Sequence, residues 1–239
     1  MRYIWASGTD TGKVRDHNED AVFPPESGST TGEAILIVAD GMGGAVAGEV
    51  ASRLAVEAAS AAPAGDPIAP EDRVVAGNQA VVLATEEDRS LAGMGTTMTL
   101  MRIDPGGPAT IAHVGDSRAY LMRAGELRQV TTDHSLVGEL VSLGRITEEE
   151  AKHHPSRHII TRVLGLGPVT ADRIDLDLGP GDRVLLCSDG LTDMVSDVMI
   201  GEILRAGEGV EPTAWALIEQ ANAAGGVDNI TVVVVDVTE

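Results

Sequence analysis

Apolar and polar positions divide the chain into buried strands and one-sided helices. Residues 34–39 (AILIVA) contain no polar position, so they predict a strand buried on both faces that stops at Asp40-Gly41. Gly43-Gly44 lead from it into an alanine-rich helix over residues 45–61, with Val46, Val50, Leu54 and Ala58 as its apolar stripe. Residues 63–70 (PAGDPIAP) break that helix. A second helix over 71–90, carrying Val74, Val75, Val81 and Val82, returns as its antiparallel partner. Strands are also predicted over 3–7, 95–103, 110–114, 119–123, 174–178, 183–188 and 230–237, with a polar loop at 24–32. Further helices are predicted over 136–143, after the capping-box pattern at 147–150, and over 197–205 and 211–223. The last places Trp215, Ile218 and Ala221 on an apolar side, whereas 159–167 has no regular pattern. Short turns between strand pairs favour antiparallel sheets, and no repeat or second core interrupts the 239 residues. One α+β domain over residues 1–239 is the expectation.

Composition narrows the class. The hydrophobic share of 43% is that of a globular protein, but aromatics are only 2%, so Val, Leu, Ile and Ala must build the core. The single cysteine, Cys187, allows no intrachain disulfide; it reads as a small buried hydrophobe and fits a reducing, cytoplasmic compartment. Every apolar run falls well short of the ~18 residues of a membrane span, and the start lacks a signal-peptide core, so no membrane insertion is expected within these residues. Seventeen basic against 37 acidic residues leave a net charge of −20. That excess argues against a nucleic-acid partner and suits a site that gathers divalent cations.

The candidate chemistry lies where strands meet glycine-containing turns. Asp40, Asp116, Asp189 and Asp228 each occupy such a place, in remote parts of the chain. Singly, each is explained as a turn or cap residue. Together they imply more, because carboxylates that converge in a dry site repel one another unless a cation joins them. Oxygen donors without cysteine or a regular histidine spacing suit Mg²⁺ or Mn²⁺ rather than structural Zn²⁺. Arg15, just before Glu19-Asp20, is either a surface ion-pair partner of Glu19 or a planar clamp for phosphate. Metal beside arginine points to hydrolysis at phosphorus.

The ordered motifs Arg15-x-x-Asn18-Glu19-Asp20, Asp40-Gly41-Met42-Gly43-Gly44, Gly95-Thr96-Thr97, Val114-Gly115-Asp116-Ser117-Arg118, Ser188-Asp189-Gly190 and Gly226-x-Asp228-Asn229-x-Thr231 span residues 15–231. In that order they resemble the metal-dependent protein phosphatases of type 2C (the PPM family). His134, the His154-Pro155 region and Thr161-Arg162-x-Leu164-Gly165 resemble its bacterial branch, in which a flap lies beside the active site. The resemblance implies a four-layer αββα sandwich, two stacked antiparallel sheets flanked by helix pairs. It also implies hydrolysis of phosphoserine and phosphothreonine on proteins at a dinuclear Mn²⁺ or Mg²⁺ centre. By position, Asp40 bridges two ions with the Gly41 carbonyl on the second, while Asp189 and Asp228 hold the first. Glu19 acts through bound water, Asp20 stands behind it, Asp116 with Asp189 offers a third ion site, and Arg15 grips the phosphate. The departure is Met42, where relatives from eukaryotes carry a histidine taken as the general acid. Methionine has no proton to give, which leaves metal-bound water, His134 or His154. Expected partners are phosphoproteins, Ser/Thr kinases among them, met by a monomer. The competing readings are a regulatory pseudophosphatase and a metallo-hydrolase of small phosphate esters.

Overall fold

Alternation along the strands sets the layers. The computed structural model describes residues 1–61 and 68–239. Its strands are β1 (Arg2–Asp10), β2 (Asp20–Phe23), β3 (Gly28–Thr30), β4 (Ala34–Met42), β5 (Gly95–Thr96), β6 (Met98–Ile103), β7 (Pro108–Val114), β8 (Arg118–Arg123), β9 (Glu126–Gln129), β10 (Asp172–Asp177), β11 (Arg183–Cys187) and β12 (Ile230–Thr238). The helices are α1 (Ala45–Ser60), α2 (Pro70–Glu87), α3 (Leu136–Ser142), α4 (Glu148–Lys152), α5 (Asp189–Thr192), α6 (Asp197–Ala206) and α7 (Val210–Ala223). One sheet runs β3-β1-β12-β11-β8-β9; the other runs β10-β7-β6-β4-β2, with β5 paired to β4. Neighbouring strands pair antiparallel throughout.

On β4, Leu36 and Val38 face the other sheet, meeting Val184, Leu186, Val233 and Val235 in a core between the sheets. Ile37 and Ala39, one residue out of phase, face α1 and α2 with Ala51, Ala55, Val74 and Val81. On the far side, Leu185, Cys187, Val232 and Val234 pack under Ile200, Leu204, Leu217 and Ile218 of α6 and α7. Period-two alternation on strands with two buried faces therefore builds three cores and four layers, the αββα sandwich expected. Cys187 is fully buried in its outer core, and burial pushes its thiol up to about 12, so it packs as a hydrophobe.

Several local expectations are corrected. The run at 34–39 does not stop at Asp40: β4 continues to Met42 because Gly41 and Met42 pair with Thr96 and Gly95 of β5. The predicted strand over 95–103 is interrupted at Thr97, whose amide and hydroxyl bond the Asp40 backbone instead. The polar loop at 24–32 contains the short edge strand β3, and β9 was not expected at all. Asp189-Gly190 opens the short helix α5 rather than a turn. Val46, placed on the buried stripe of α1, is 71% exposed; Ala51, Ala55 and Ala59 form the buried face, with Val50 and Leu54 at its margins. Small residues win because they let α1 approach both the sheet and α2. Trp215 is 44% exposed on the outer side of α7. Of the break predicted at 63–70, residues 63–67 lie outside those described, while Pro70 opens α2.

Candidate metal centre

Antiparallel register delivers the carboxylates. In the β2–β4 pair Asp20 lies opposite Asp40, so both enter the same end of one sheet. The other sheet supplies Asp189, first residue of α5 directly after β11, and Asp228, just before the neighbouring β12. Asp116 comes from the β7–β8 connection. These five acids share one electrostatic neighbourhood. Burial raises Asp40 well above the usual range, and the charges of Asp20, Asp189 and Asp116 raise it further. Burial also pushes Asp20 up to about 7, Asp116 to about 8 and Asp189 to about 6; Asp189 adds to the rise at Asp20 and Asp116, and Asp228 adds to that at Asp189.

The backbone under the cluster is held tightly. The Asp40 amide donates to Thr97 Oγ1 at 2.9 Å, and the Asp40 carbonyl accepts from the Thr97 amide at 2.9 Å and Thr96 Oγ1 at 2.8 Å. The Gly41 amide donates to the Glu19 carbonyl at 3.1 Å. Asp189 raises Asp40 further, and burial holds both carboxyls above the usual range. Arg15 Nη2 donates to Asp228 Oδ2 at 2.7 Å, with both side chains partly exposed. The expected phosphate clamp and an expected metal ligand are thus paired with each other, and Glu19 is not the arginine's partner. Ser188 Oγ donates to Asp20 Oδ2 at 2.8 Å.

Among the described residues no three His, Cys, Asp or Glu side chains stand as a ready-made metal cage. The donor set nevertheless fits hard cations. Asp20 Oδ1, Asp116 Oδ1 and Asp189 Oδ1 are sealed from solvent without a hydrogen-bond partner. Orphaned carboxylate oxygens in a buried acid cluster are what an oxygen-coordinated divalent ion would satisfy.

Met42, 37% exposed at the end of β4, borders the site. Both histidines singled out from the sequence make local hydrogen bonds. His134 is 5% exposed, its Nδ1 accepts the Gly115 amide at 3.0 Å, and its Nε2 faces Asp172 at 3.1 Å. His154 Nδ1 accepts the Ser156 amide at 3.1 Å and closes its own turn. His158 lies 3.6 Å from Asp193; the charge of Asp193 raises Asp189 and that of His158 lowers it.

Sequence reasoning missed the supports. Asn229 accepts the Glu19 amide and donates to the carbonyls of Thr11 and His17, tying the Arg15 loop to β12. Ser52 Oγ donates to the Glu19 carbonyl at 2.6 Å. Gly48 lies in α1 where a methyl group would collide with Glu19 Oε2. A glycine inside an alanine-rich helix was the one available signal.

The sandwich and the site now meet known proteins. A family model described as Protein phosphatase 2C matches residues 7–219. The chain belongs to the protein phosphatase 2C family. It is 46% identical to the serine/threonine protein phosphatase PstP of Mycobacterium tuberculosis, covering all of this chain and 45% of that protein. The chain therefore spans about half the length of the mycobacterial relatives. It is 41% identical to the serine/threonine phosphatase stp of Listeria monocytogenes, over 95% of this chain and 93% of that one. A crystal structure of the catalytic domain of PstP in complex with two manganese ions matches with a TM-score of 0.88 at 43% identity, over 100% of each chain.

Proposed function

We propose that this chain hydrolyses phosphoserine and phosphothreonine on proteins, with two Mn²⁺ or Mg²⁺ ions held by Asp40, Asp189, Asp228 and the Gly41 carbonyl. The carrying observation is the set of sealed, unpartnered oxygens on Asp20, Asp116 and Asp189, in a cluster whose cationic partner is Arg15 on Asp228. Asp116 with Asp189 would take a third ion, Glu19 would act through water, and Asp20 would steady the site from behind. When bound, the ions lower the pKa of a water so that it attacks phosphorus at neutral pH. Arg15, half-exposed, swings its fork from Asp228 to the phosphate, orients it and offsets the charge that grows on the equatorial oxygens. Met42 has no proton to give, and water at the site is the proposed acid for the departing seryl or threonyl oxygen. Phosphorylated Ser/Thr kinases are among the substrates such a site would accept, and a monomer in the cytoplasm is the form proposed to meet them. No helix among the described residues is long and apolar enough to cross a membrane.

Phosphate release from a phosphothreonine peptide and a phosphoprotein, beside a small ester and a nucleotide panel, tests this. Peptide hydrolysis is expected to need Mn²⁺, to stop with chelator and to return on readdition. Asp189→Asn should lower kcat/KM by more than about a hundredfold, beyond the usual effect of outer-shell changes. A chelator-insensitive rate, or nucleotides cleaved faster than peptides, overturns the proposal.

A further inference from the structure

A polar chain runs from residues 159–162 to the Asp116 turn, and it passes through the buried ring of His134. Gly115 is bound to His134 by both of its backbone groups: its carbonyl accepts the His134 amide at 2.7 Å, and its amide donates to the ring Nδ1 at 3.0 Å. An accepting Nδ1 carries no proton, so the ring proton resides on Nε2, 3.1 Å from Asp172 Oδ2. The other Asp172 oxygen accepts from Arg162 Nη1 at 2.5 Å. Behind the ring lies His113, fully buried, its centroid 4.7 Å away. The His134 carbonyl accepts the Thr161 amide at 2.8 Å, Ser135 bridges Ile160, and the Leu136 amide donates to the Ile159 carbonyl.

On the Asp116 side the turn has little freedom. Gly115 has φ +115°, and a Cβ there would lie 2.5 Å from Thr97 Cβ. Ser117 Oγ lies 2.8 Å from Thr97 Oγ1, the same hydroxyl that accepts the Asp40 amide. Asp116 is therefore suspended between two anchored neighbours, with Oδ1 sealed and unpartnered. Of those anchors, the Gly115 one is His134.

We propose that His134 is a positioning residue that couples the flap segment 159–162 to the Asp116 carboxylate, so that docking of the segment and cation binding at Asp116 support one another. This rests on the reading that Asp116 takes a cation. It assigns to His134 a role other than proton donor: an imidazole with one nitrogen on Gly115 and the other on Asp172 transmits position.

Calorimetric titration with Mn²⁺ and amide hydrogen exchange without metal test the coupling in the full chain. The step lost in Asp116→Asn marks the Asp116-dependent site. His134→Leu, which breaks both links, should weaken that step by about tenfold or more and leave the tighter steps unchanged. It should also speed exchange at Gly115–Ser117 and at Thr161–Arg162. His134→Asn places an amide oxygen where Nδ1 was. It should recover the Mn²⁺ step and the protection at Gly115–Ser117, while exchange at 161–162 stays raised for want of the Asp172 link. Nitrogen chemical shifts of the wild-type ring should report the neutral Nε2-protonated form. Should His134→Leu not fold, Asp172→Ala, which removes a partly exposed acceptor, carries the test through exchange at Gly115–Ser117. If wild type shows no Asp116-dependent step, the cation reading fails and the exchange data alone judge the link. Unchanged protection at Gly115–Ser117 in both His134→Leu and Asp172→Ala, or an Asp116-dependent step indifferent to His134→Leu, overturns the coupling.

Discussion

The Glu19 carboxylate shows how a single atom's absence shapes the site. Its backbone is fixed from three directions, by Asn229, Gly41 and Ser52, but its side chain has room because residue 48 has no Cβ. By helix propensity alone, Gly48→Ala in the interior of α1 should stabilise the protein by about 0.5–1 kcal/mol. The new methyl meets the far end of the flexible Glu19 side chain and lies 3.0 Å from the Gly41 backbone carbon, so the fold accommodates it by moving the carboxylate and easing α1 from β4 by a few tenths of an ångström. The expected outcome separates the two effects: the midpoint of thermal unfolding stays level or rises, while Mn²⁺-dependent turnover falls about tenfold as Glu19 loses its place. A variant that is more stable and fully active would show that the position of Glu19 does not matter to catalysis.

At the level of the elements, pattern determined type and order better than it determined faces. Strands with an unbroken apolar run, such as β4 and β12, were legible because burial on both sides leaves no polar position. Asp40, Asp116, Asp189 and Asp228 were legible for a related reason, since rigid strands ending in carboxylates are conspicuous in sequence. The hydrogen bonds that support them were not, because Asn229 to Glu19 and His134 to Gly115 join residues far apart in the chain through polar types that are common on any surface. Helix α1 misled for another reason: hydropathy ranks valine and leucine above alanine, whereas close approach ranks them below. Ala55 is fully buried where α1 meets α2, and a Cβ on Gly77 would already lie 3.0 Å from the Ala55 carbonyl. Ala55→Leu should therefore lower unfolding stability in urea by about 1–3 kcal/mol through overpacking. Val46→Ser, on the exposed turn, should stay within about 0.5 kcal/mol. Equal effects from the two would restore the valine stripe as the packing face.

For the molecule as a whole, the acid cluster sets itself against the fold unless something neutralises it. The chain carries a net charge of −20, and five of its carboxylates are gathered at one end of the sandwich. Burial and mutual repulsion hold Asp189 at about 6, Asp20 at about 7 and Asp116 at about 8 in the folded protein, against an ordinary aspartate value of 3.8. Between the ordinary value and these raised ones, the native state keeps protons that the unfolded chain has released. Unfolding then releases protons, and stability must fall as pH rises through that interval, the opposite of the usual effect of a salt-bridged carboxylate. Without metal, the urea midpoint should be higher near pH 5 than near pH 8. Mn²⁺ replaces the protons as counter-charge, so its stabilising effect should grow over the same interval, as the protons competing for those oxygens leave. Asp116→Asn removes one repelling charge and should raise the metal-free midpoint at pH 8 while shrinking the increment that Mn²⁺ adds. A metal-free midpoint that instead climbs from pH 5 to pH 8 would mean that the five acids do not repel one another in solution, and the case for a cation among them would lose its electrostatic basis.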